Sequence, residues 1–322
     1  MREALVVLGV GLAALGATPW LRAETLRVIA DVAMVAALAL GWNFIGGITG
    51  YPSFATAGFF GLGAYTVGFV MLKGAPFAVA LGAAALAGGL CAALLGLGVL
   101  RLKGHYFAIA TFGVAEALKE LVTNLEFVGG GTGLNLPVFR GGPREFSVFF
   151  YVAMVLVAMT AAAVTLLLVQ RPVGYGLRAI RDNEDAASCR GVNTRALKSL
   201  AFTLSGIFAA VPGGIYAYRS AYIEPADVFD VLFSIKPIIA AVVGGAGTVL
   251  GPVLGAVGFE AFRDLMWGRF LEFHNMFLGV AVVLVVIFAP QGAVTLLRQL
   301  RGLRRARDVG DLLGASVRQH RI

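Results

Sequence analysis

Long apolar runs constrain the fold of this chain more than any other feature of its sequence. Several exceed the roughly 20 residues that a helix needs to cross about 30 Å of hydrocarbon. Hydrophobic residues fill 59% of the 322 positions and charged residues 14%, whereas charged residues make up about a quarter of a soluble domain. Because lipid offers the backbone no hydrogen-bond partner, each run must form a helix. The sequence therefore predicts an all-α polytopic membrane protein.

Three basic regions predict how the chain crosses the membrane. They are 101–103, 171–198 and 298–322, and loops rich in Lys and Arg stay on the cytoplasmic side. Keeping all three inside gives about ten transmembrane helices with both termini cytoplasmic, or about eight or nine if a broken segment only dips into the bilayer. We expect residues 1–297 to form one transmembrane domain and 298–322 a basic cytoplasmic tail. The later predicted spans are Ala75–Leu100, Phe146–Val169, Ala201–Tyr218, Val231–Val243, Val253–Met266 and Phe273–Phe288.

The N-terminal apolar run Ala4–Trp20 has two interpretations. Arg2 before it suits the charged start of a signal peptide, but the next run, Leu26–Ile45, follows at once and no clear A-x-A cleavage site separates them. These features favour a first transmembrane helix. The second run contains Asp31, and an acid at membrane depth usually has a function. Because Arg27 is close by, a charge at the headgroup level is equally consistent, and no role is assigned.

Two segments rich in glycine and proline, 46–65 and 244–252, interrupt the apolar sequence. Non-helical backbone at membrane depth persists only where protein or water covers its polar groups, and transporters place substrate at such breaks. Small residues also let helices pack closely, so either role, or both, fits the pattern. Glycines and prolines recur at matching positions in the two segments. That match is consistent with an internal repeat or with a chance alignment.

The longest polar interval between apolar runs is 171–200. Three of its residues are predicted to break any helix that arrives from the membrane: Pro172, Gly174 and Gly176. After them, Asp182 or Asn183 can accept hydrogen bonds from free amides as an N-cap. Gly191 can take the left-handed position that follows a helix. We predict a short helix of about two turns between these caps, outside the membrane.

This short helix carries a string found in a known class of proteins. Asp185-Ala186-Ala187-x-x-x-Gly191 resembles the EAA loop of ABC-importer permeases, with Asp where many members have Glu. The text GLRAIRDNEDAASCRGVN, followed by LAFTLSGIFAAVPGGIYA, is similar to the branched-chain amino acid (LivM-type) permeases in particular. Further similar strings are GHYFAIAT from Gly104, the external loop GGGTGL, the second glycine break and Pro290-Gln291-Gly292.

In that family the short helix is a coupling helix that docks into a cleft on a cytoplasmic ATPase. The resemblance implies a permease subunit in the bacterial inner membrane that moves branched-chain or other apolar amino acids inward. It implies three kinds of partner: two ATP-binding-cassette ATPase subunits, a second homologous permease and an external substrate-binding protein. The implied coupling residues are Asn183, Glu184, Asp185, Ala186, Ala187 and Gly191. The residues expected to face the substrate path flank the two breaks: Ser53, Thr56, Gly245 and Thr248.

The first break, GGITGYPSFATAGFFGLGAY, also resembles the signature G-x-x-S-x-G-H-A-A-F-x-G-x-G-A-Y of this family, but it departs from that signature at three positions, Ala55, Thr56 and Gly58. Thr56 stands where a histidine is common, which leaves the identity of the cargo open. Urea or a short amide is the alternative cargo within the same transporter class.

Other function classes find little support in the residues. The chain has no G-x-x-x-x-G-K-[ST], H-E-x-x-H or G-x-S-x-G string, so we expect no enzyme activity and ATP hydrolysis on separate chains. The three histidines are far apart in sequence, and neither a metal nor a cofactor is expected. A net charge of +8 fits cytoplasmic basic loops rather than nucleic-acid binding. The rival class is a self-sufficient secondary transporter or channel, which should place acids or gating charges at the membrane centre.

Overall fold

The computed structural model describes residues 2–267, and most of them are helical. The helices are α1 (Arg2–Gly16), α2 (Ala23–Asn43), α3 (Thr56–Leu72), α4 (Phe77–Val99), α5 (His105–Thr123), α6 (Pro143–Gln170), α7 (Pro172–Asp182), α8 (Glu184–Cys189), α9 (Thr194–Ser220), α10 (Pro225–Val228), α11 (Leu232–Gly244) and α12 (Leu250–Trp267). Two short strands, β1 (Leu134–Asn135) and β2 (Tyr222–Ile223), pair antiparallel. The predicted span Phe273–Phe288, the string Pro290–Gly292 and the tail 298–322 lie outside the described residues.

Four helices in the described part of the chain are long and apolar enough to cross a membrane. They are α4, α6, α9, and α2 together with the π-helical segment Phe44–Ile48 that continues it. The shorter apolar helix α3 has 17 residues. These helices confirm the predicted all-α membrane fold. Helix α11 has 13 residues and rises about 20 Å, less than the thickness of the hydrocarbon core.

Small residues bring the central helices together. A Cβ added at Gly88 of α4 would lie 2.8 Å from the carbonyl oxygen of Gly206 in α9, and one at Gly206 would lie 2.7 Å from that of Gly88. On another side of α9, a Cβ at Gly213 would clash with the backbone of Phe60 in α3. These contacts fit close backbone packing through small residues, as in other membrane helix bundles. Glycine therefore has a packing role in this chain as well as its role in the breaks.

The bundle has two distinct polar ends. The first, which we call the loop end, consists of residues 44–55, 100–104, 171–198 and 245–249. At the opposite end, Arg144 donates a 2.7 Å hydrogen bond from Nη2 to the carbonyl of Pro19, and β1 pairs with β2. The two glycine breaks and the predicted loop helix therefore all lie at the loop end.

One local prediction for the loop is confirmed only in part. The helix that arrives from the membrane, α6, ends at Gln170, and Arg171 before Pro172 is extended, but a new helix, α7, begins at once and contains Pro172, Gly174 and Gly176. Proline is tolerated in the first turn of a helix, where its missing N–H has no partner to lose. Gly174 is required there by tertiary packing, since a Cβ at this position would clash with the backbone of Leu168.

The second break is also shorter than its glycine and proline content predicts. It comprises residues 245–249, and Pro252 lies in the first turn of α12 rather than in the break. Helices α11 and α12 then pack closely as a pair, because Gly255 lies against the backbone of Ala240.

Candidate functional site

The predicted loop helix is present, with both of its predicted caps. Helix α8 spans Glu184–Cys189, and the amide of Ala186 donates a 3.0 Å hydrogen bond to Oδ1 of Asn183. Gly191 has φ +82°, a left-handed conformation that favours glycine after a helix. Ala187 is buried against the bundle, while Asp185 and Ala186 are exposed. The helix thus presents one face to the bundle and one face to the surroundings.

A buried ion pair fastens α8 to the bundle. Nζ of Lys198, at the start of α9, lies 2.6 Å from Oε1 of Glu184. The same ammonium donates a 3.0 Å hydrogen bond to the carbonyl of Leu100 at the end of α4. Tyr51 in the first break donates its hydroxyl to Oε2 of Glu184. Lys198 is only 5% exposed, and a charge so deeply buried needs a partner of this kind.

The surroundings of Glu184 keep its carboxylate ionised. Burial alone would raise its pKa, but the hydrogen bonds from Lys198 and Tyr51 lower it by more, and the pKa lies below its ordinary value. Both carboxylate oxygens are therefore charged acceptors at neutral pH. Asp185 makes a second contact, 2.8 Å from Nζ of Lys103, but both side chains are largely exposed, so this pair adds little stability.

The two glycine breaks touch each other directly. Asn43, the last residue of α2, accepts a 2.7 Å hydrogen bond at Oδ1 from the amide of Gly247. Its Nδ2 donates a 2.9 Å hydrogen bond to the carbonyl of Thr248. Asn43 is fully buried, and a Cβ at Gly47 would clash with its side chain and lie 2.6 Å from the Gly247 nitrogen. One amide side chain therefore replaces the helical hydrogen bonds that the second break lacks.

Helix α7 reaches the point where the breaks meet. Nη1 of Arg181 donates a 2.8 Å hydrogen bond to the carbonyl of Gly47. A Cβ at Gly247 would lie 2.7 Å from the same nitrogen, so the guanidinium lies against both breaks. Because α7 runs directly into α8 through Asn183, any displacement of α8 acts on this contact.

Ser53, Gly245 and Thr248 lie at the loop end, and Thr56 is the first residue of α3, directly after it. Ser53 is 1% exposed, and its carbonyl accepts a 2.9 Å hydrogen bond from Nε1 of Trp42. Thr56 is 2% exposed, and its hydroxyl is without a hydrogen-bond partner among the described residues. Gly245 has φ +122°. Thr248 donates to the carbonyl of Gly245 and accepts from the amide of Gly251, so it caps α12.

The structure thus assigns local structural contacts to Ser53 and Thr248, and their role in a substrate path stays a prediction. Thr56 differs from them, because nothing in the described residues satisfies its buried hydroxyl.

Sequence reasoning missed the residues that join these elements. From the sequence, Lys198 was recognised only as one of several cations in the loop, and no role was assigned to Tyr51 or Asn43. Their signal was present, since each is a polar side chain at the edge of an apolar run. The spans also contain Lys236 and Glu260, two ionisable residues that the sequence reasoning passed over. Within residues 2–267, no group of three His, Cys, Asp or Glu side chains could hold a metal ion.

Sequence comparisons identify the relatives of this chain. Residues 25–288 match the family model described as "Branched-chain amino acid transport system / permease component". The chain is 31% identical over 304 residues to the high-affinity branched-chain amino acid transport system permease protein LivM of Escherichia coli (strain K12). That match covers 85% of this chain and 71% of the relative.

More distant relatives include two other permeases. The chain is 24% identical over 211 residues to the probable branched-chain amino acid transport permease protein LivM of Methanocaldococcus jannaschii, covering 60% of this chain and 61% of the relative. It is 28% identical over 222 residues to the autoinducer 2 import system permease protein LsrC of Salmonella paratyphi B, covering 65% and 61%. No solved structure matches the chain.

Proposed function

Because the chain belongs to the family of branched-chain amino acid transport permease components, we propose that it is the membrane-spanning subunit of an ATP-binding-cassette importer for branched-chain or other apolar amino acids. Two relatives named for branched-chain amino acid transport support this cargo. Members of this family are transport subunits rather than enzymes. ATP hydrolysis therefore takes place on partner chains.

The contact of Glu184 with Tyr51 and Lys198 carries this proposal. It links α8, whose outer face is exposed, to the first glycine break and to α9 through buried, charged hydrogen bonds. Such bonds are stronger than neutral ones and hold a fixed geometry. A force applied to α8 by a partner therefore reaches the transmembrane helices without passing through a flexible loop.

The transport step follows from this connection. ATP binding closes two ATPase subunits, and the exposed face of α8 moves with them. Glu184 transmits the movement to Tyr51 and Lys198, and Arg181 transmits it to the point where the breaks meet. The Asn43 bridge between the breaks then opens or closes the loop end of the path. The path itself runs between this subunit and a second, homologous permease, past Ser53, Thr56, Gly245 and Thr248.

In the proposed orientation, the loop end faces the cytoplasm. That end carries the basic stretches 101–103 and 171–198, which favours the cytoplasmic side. About ten spans then cross the inner membrane, with both termini inside and residues 1–297 as one permease domain. The loops 124–142 and 221–231 face outward, where an external substrate-binding protein delivers its cargo.

Substitutions on α8 test the coupling role. In proteoliposomes that contain the complete importer, Asp185→Lys and Gly191→Pro should abolish amino-acid uptake while ATP hydrolysis continues. Gly191 cannot become proline without losing its φ of +82° and its amide hydrogen bond to Ser188. Glu24→Lys, at an exposed acid in the first turn of α2, is the matched control and should leave uptake unchanged. Normal coupling in both α8 variants would overturn the proposal.

A native thiol on α8 tests its location. Cys189 is exposed and Cys91 is half-buried in α4. In a Cys91→Ala background, a membrane-impermeant maleimide should label Cys189 in inside-out vesicles and not in right-side-out ones. Docked ATPase subunits should protect the thiol. Labelling from the outer side would refute the orientation and, with it, the coupling role of α8.

A further inference from the structure

Helices α11 and α12 carry charges that the coupling site does not use. Lys236 lies in α11, and Glu260 and Arg263 lie in α12, all within otherwise apolar helices. An ionisable side chain within a membrane helix is costly, and it persists when it is paired or when function requires it. The contacts of these three residues show which of these explanations applies.

Glu260 is buried next to a cation but accepts no hydrogen bond from the described residues. It is 1% exposed, and neither of its carboxylate oxygens makes a hydrogen bond to any described residue. Nη2 of Arg263, one turn further along α12, lies 2.7 Å from Oε2 of Glu260 but outside hydrogen-bond geometry. The charge of this carboxylate is thus partly balanced, while its acceptor sites remain free.

Lys236 has no close ion pair among the described residues. No carboxylate of the described residues lies within 4 Å of its ammonium, and its nearest partner is the ring of Phe233, whose centroid is 5.7 Å from Nζ. At that distance a cation–π contact is near its outer limit. Glu260 and Arg263 act on Lys236 electrostatically from α12, so the three side chains form one charged cluster.

Two neighbouring acids are already paired with arginines. Asp31 of α2 and Arg219 of α9 form an ion pair of 2.5 Å. Asp264 lies 3.3 Å from Arg263 at the exposed edge of α12, with 44% of its side chain exposed. Two cations therefore share one buried carboxylate inside the cluster, and each of these groups has unused hydrogen-bonding capacity.

The chemistry of such a cluster matches one kind of ligand. A molecule with a carboxylate and an ammonium on the same carbon can satisfy both signs of charge at once. The side of α12 next to the cluster exposes Leu254 and Val257, which are 50% and 47% exposed. An apolar side chain on the ligand would find matching surface there.

We propose that Lys236, Glu260 and Arg263 form the site on the transport path that binds the charged end of an amino acid. Lys236 and Arg263 receive the α-carboxylate, and Glu260 receives the α-ammonium. This inference rests on the proposed import function and gives that function a defined substrate site. It places the site on α11 and α12, away from the path residues Ser53 and Thr56 of the first break.

Photo-leucine, a diazirine analogue that keeps both charged groups of leucine, tests the site directly. The complete importer in proteoliposomes is loaded with photo-leucine, irradiated and mapped by mass spectrometry. Label should fall on peptides from 232–244 and 250–267. Excess leucine should suppress it, whereas leucinamide and 4-methylpentanoate, which each lack one of the charges, should not.

Matched variants separate binding from folding. Lys236→Met and Glu260→Gln should each reduce labelling about tenfold, as loss of one charged hydrogen bond predicts. Lys73→Met and Glu120→Gln make the same chemical changes at exposed positions and should leave labelling intact. Label on the first break instead, or full labelling of both cluster variants, would overturn the site while the import function stands. Uptake without any ATPase subunit would overturn the import function itself.

Discussion

Two glutamates of this chain, the partly buried Glu184 and the fully buried Glu260, differ in their hydrogen-bond partners. Glu184 accepts hydrogen bonds from Tyr51 and lies 2.6 Å from Nζ of Lys198. Glu260 is even less exposed, yet its carboxylate makes no hydrogen bond within residues 2–267. The first glutamate holds parts of the protein together, and the second has capacity left for a ligand. Burial alone therefore does not reveal what a charged residue does, and its hydrogen-bond partners decide between the two roles.

The free-energy cost of neutralising each glutamate should differ in size. Removing one member of a satisfied buried ion pair costs about 3–5 kcal/mol, because the other charge is left uncompensated. Replacing a buried carboxylate that lacks hydrogen bonds by a neutral group of the same shape removes a desolvation cost. Substitutions at each site therefore test whether the two glutamates have these different roles.

The largest effect is expected at Lys198. Lys198→Met leaves the Glu184 carboxylate buried without its cation and should destabilise the loop end by about 3 kcal/mol. Hydrogen exchange of 183–193 should rise accordingly. Adding Glu184→Gln to the same chain should restore part of the protection, since the unpaired charge is gone. If exchange in the single variant matched that of the wild type, the buried ion pair would not anchor α8.

A smaller effect is expected at Asn43. Asn43→Ala leaves the amide of Gly247 and the carbonyl of Thr248 without partners, which should cost about 2 kcal/mol. The loss should be local, so hydrogen exchange should increase at 245–249 and stay unchanged in β1 and β2 at the opposite end. Asn43→Asp keeps the acceptor and loses the donor, and its effect should be intermediate. Equal exchange in all three proteins would show that the breaks do not depend on this bridge.

Glu260→Gln is expected to lower stability by less than Glu184→Gln, because it removes the desolvation cost of a carboxylate without hydrogen bonds but also leaves Arg263, 2.7 Å away, without its buried counter-ion. Thermal unfolding of the purified complex in detergent measures this directly. The matched change at the other glutamate, Glu184→Gln, should lower the unfolding temperature. Similar destabilisation by both substitutions would mean that Glu260 also has a structural partner, and the contrast between the two sites would disappear.

The smallest effect is the response to pH. The pKa of Glu184 lies below its ordinary value, so its stabilising contribution is present above the ordinary carboxyl pKa of about 4.3 and is lost as pH falls through the lower folded value. Protection of α8 against hydrogen exchange, corrected for intrinsic rates, should therefore be constant from about pH 8 to about pH 5. Loss of protection near neutral pH would contradict the assigned ionisation of Glu184.

Local sequence rules predicted the elements of the loop end better than their connections. The caps Asn183 and Gly191 follow from hydrogen-bonding and backbone preferences that act over a few residues, and both are confirmed. The two breaks follow from dense glycine and proline. Helix α7 does not follow from such rules, because packing of Gly174 against Leu168 overrides the low helix propensity of glycine.

The contacts between elements depend on residues far apart in the chain. Tyr51 and Glu184 are separated by 133 positions, and Asn43 and Gly247 by 204. No periodicity or spacing links such pairs, so the sequence could identify α8 without identifying what holds it. The charges of α11 and α12 were visible in the sequence, but their state of pairing depends on four helices that meet only in the fold.

The number of ATP molecules hydrolysed per leucine imported shows whether Glu184 couples α8 to the transmembrane helices. It should be measured in proteoliposomes for the wild type, Glu184→Gln, and the exposed control Glu120→Gln. We expect the ratio to rise several-fold in Glu184→Gln, because α8 then moves without carrying the first break and α9 with it, and to stay at the wild-type value in the control. A ratio in Glu184→Gln equal to that of the wild type would contradict the account.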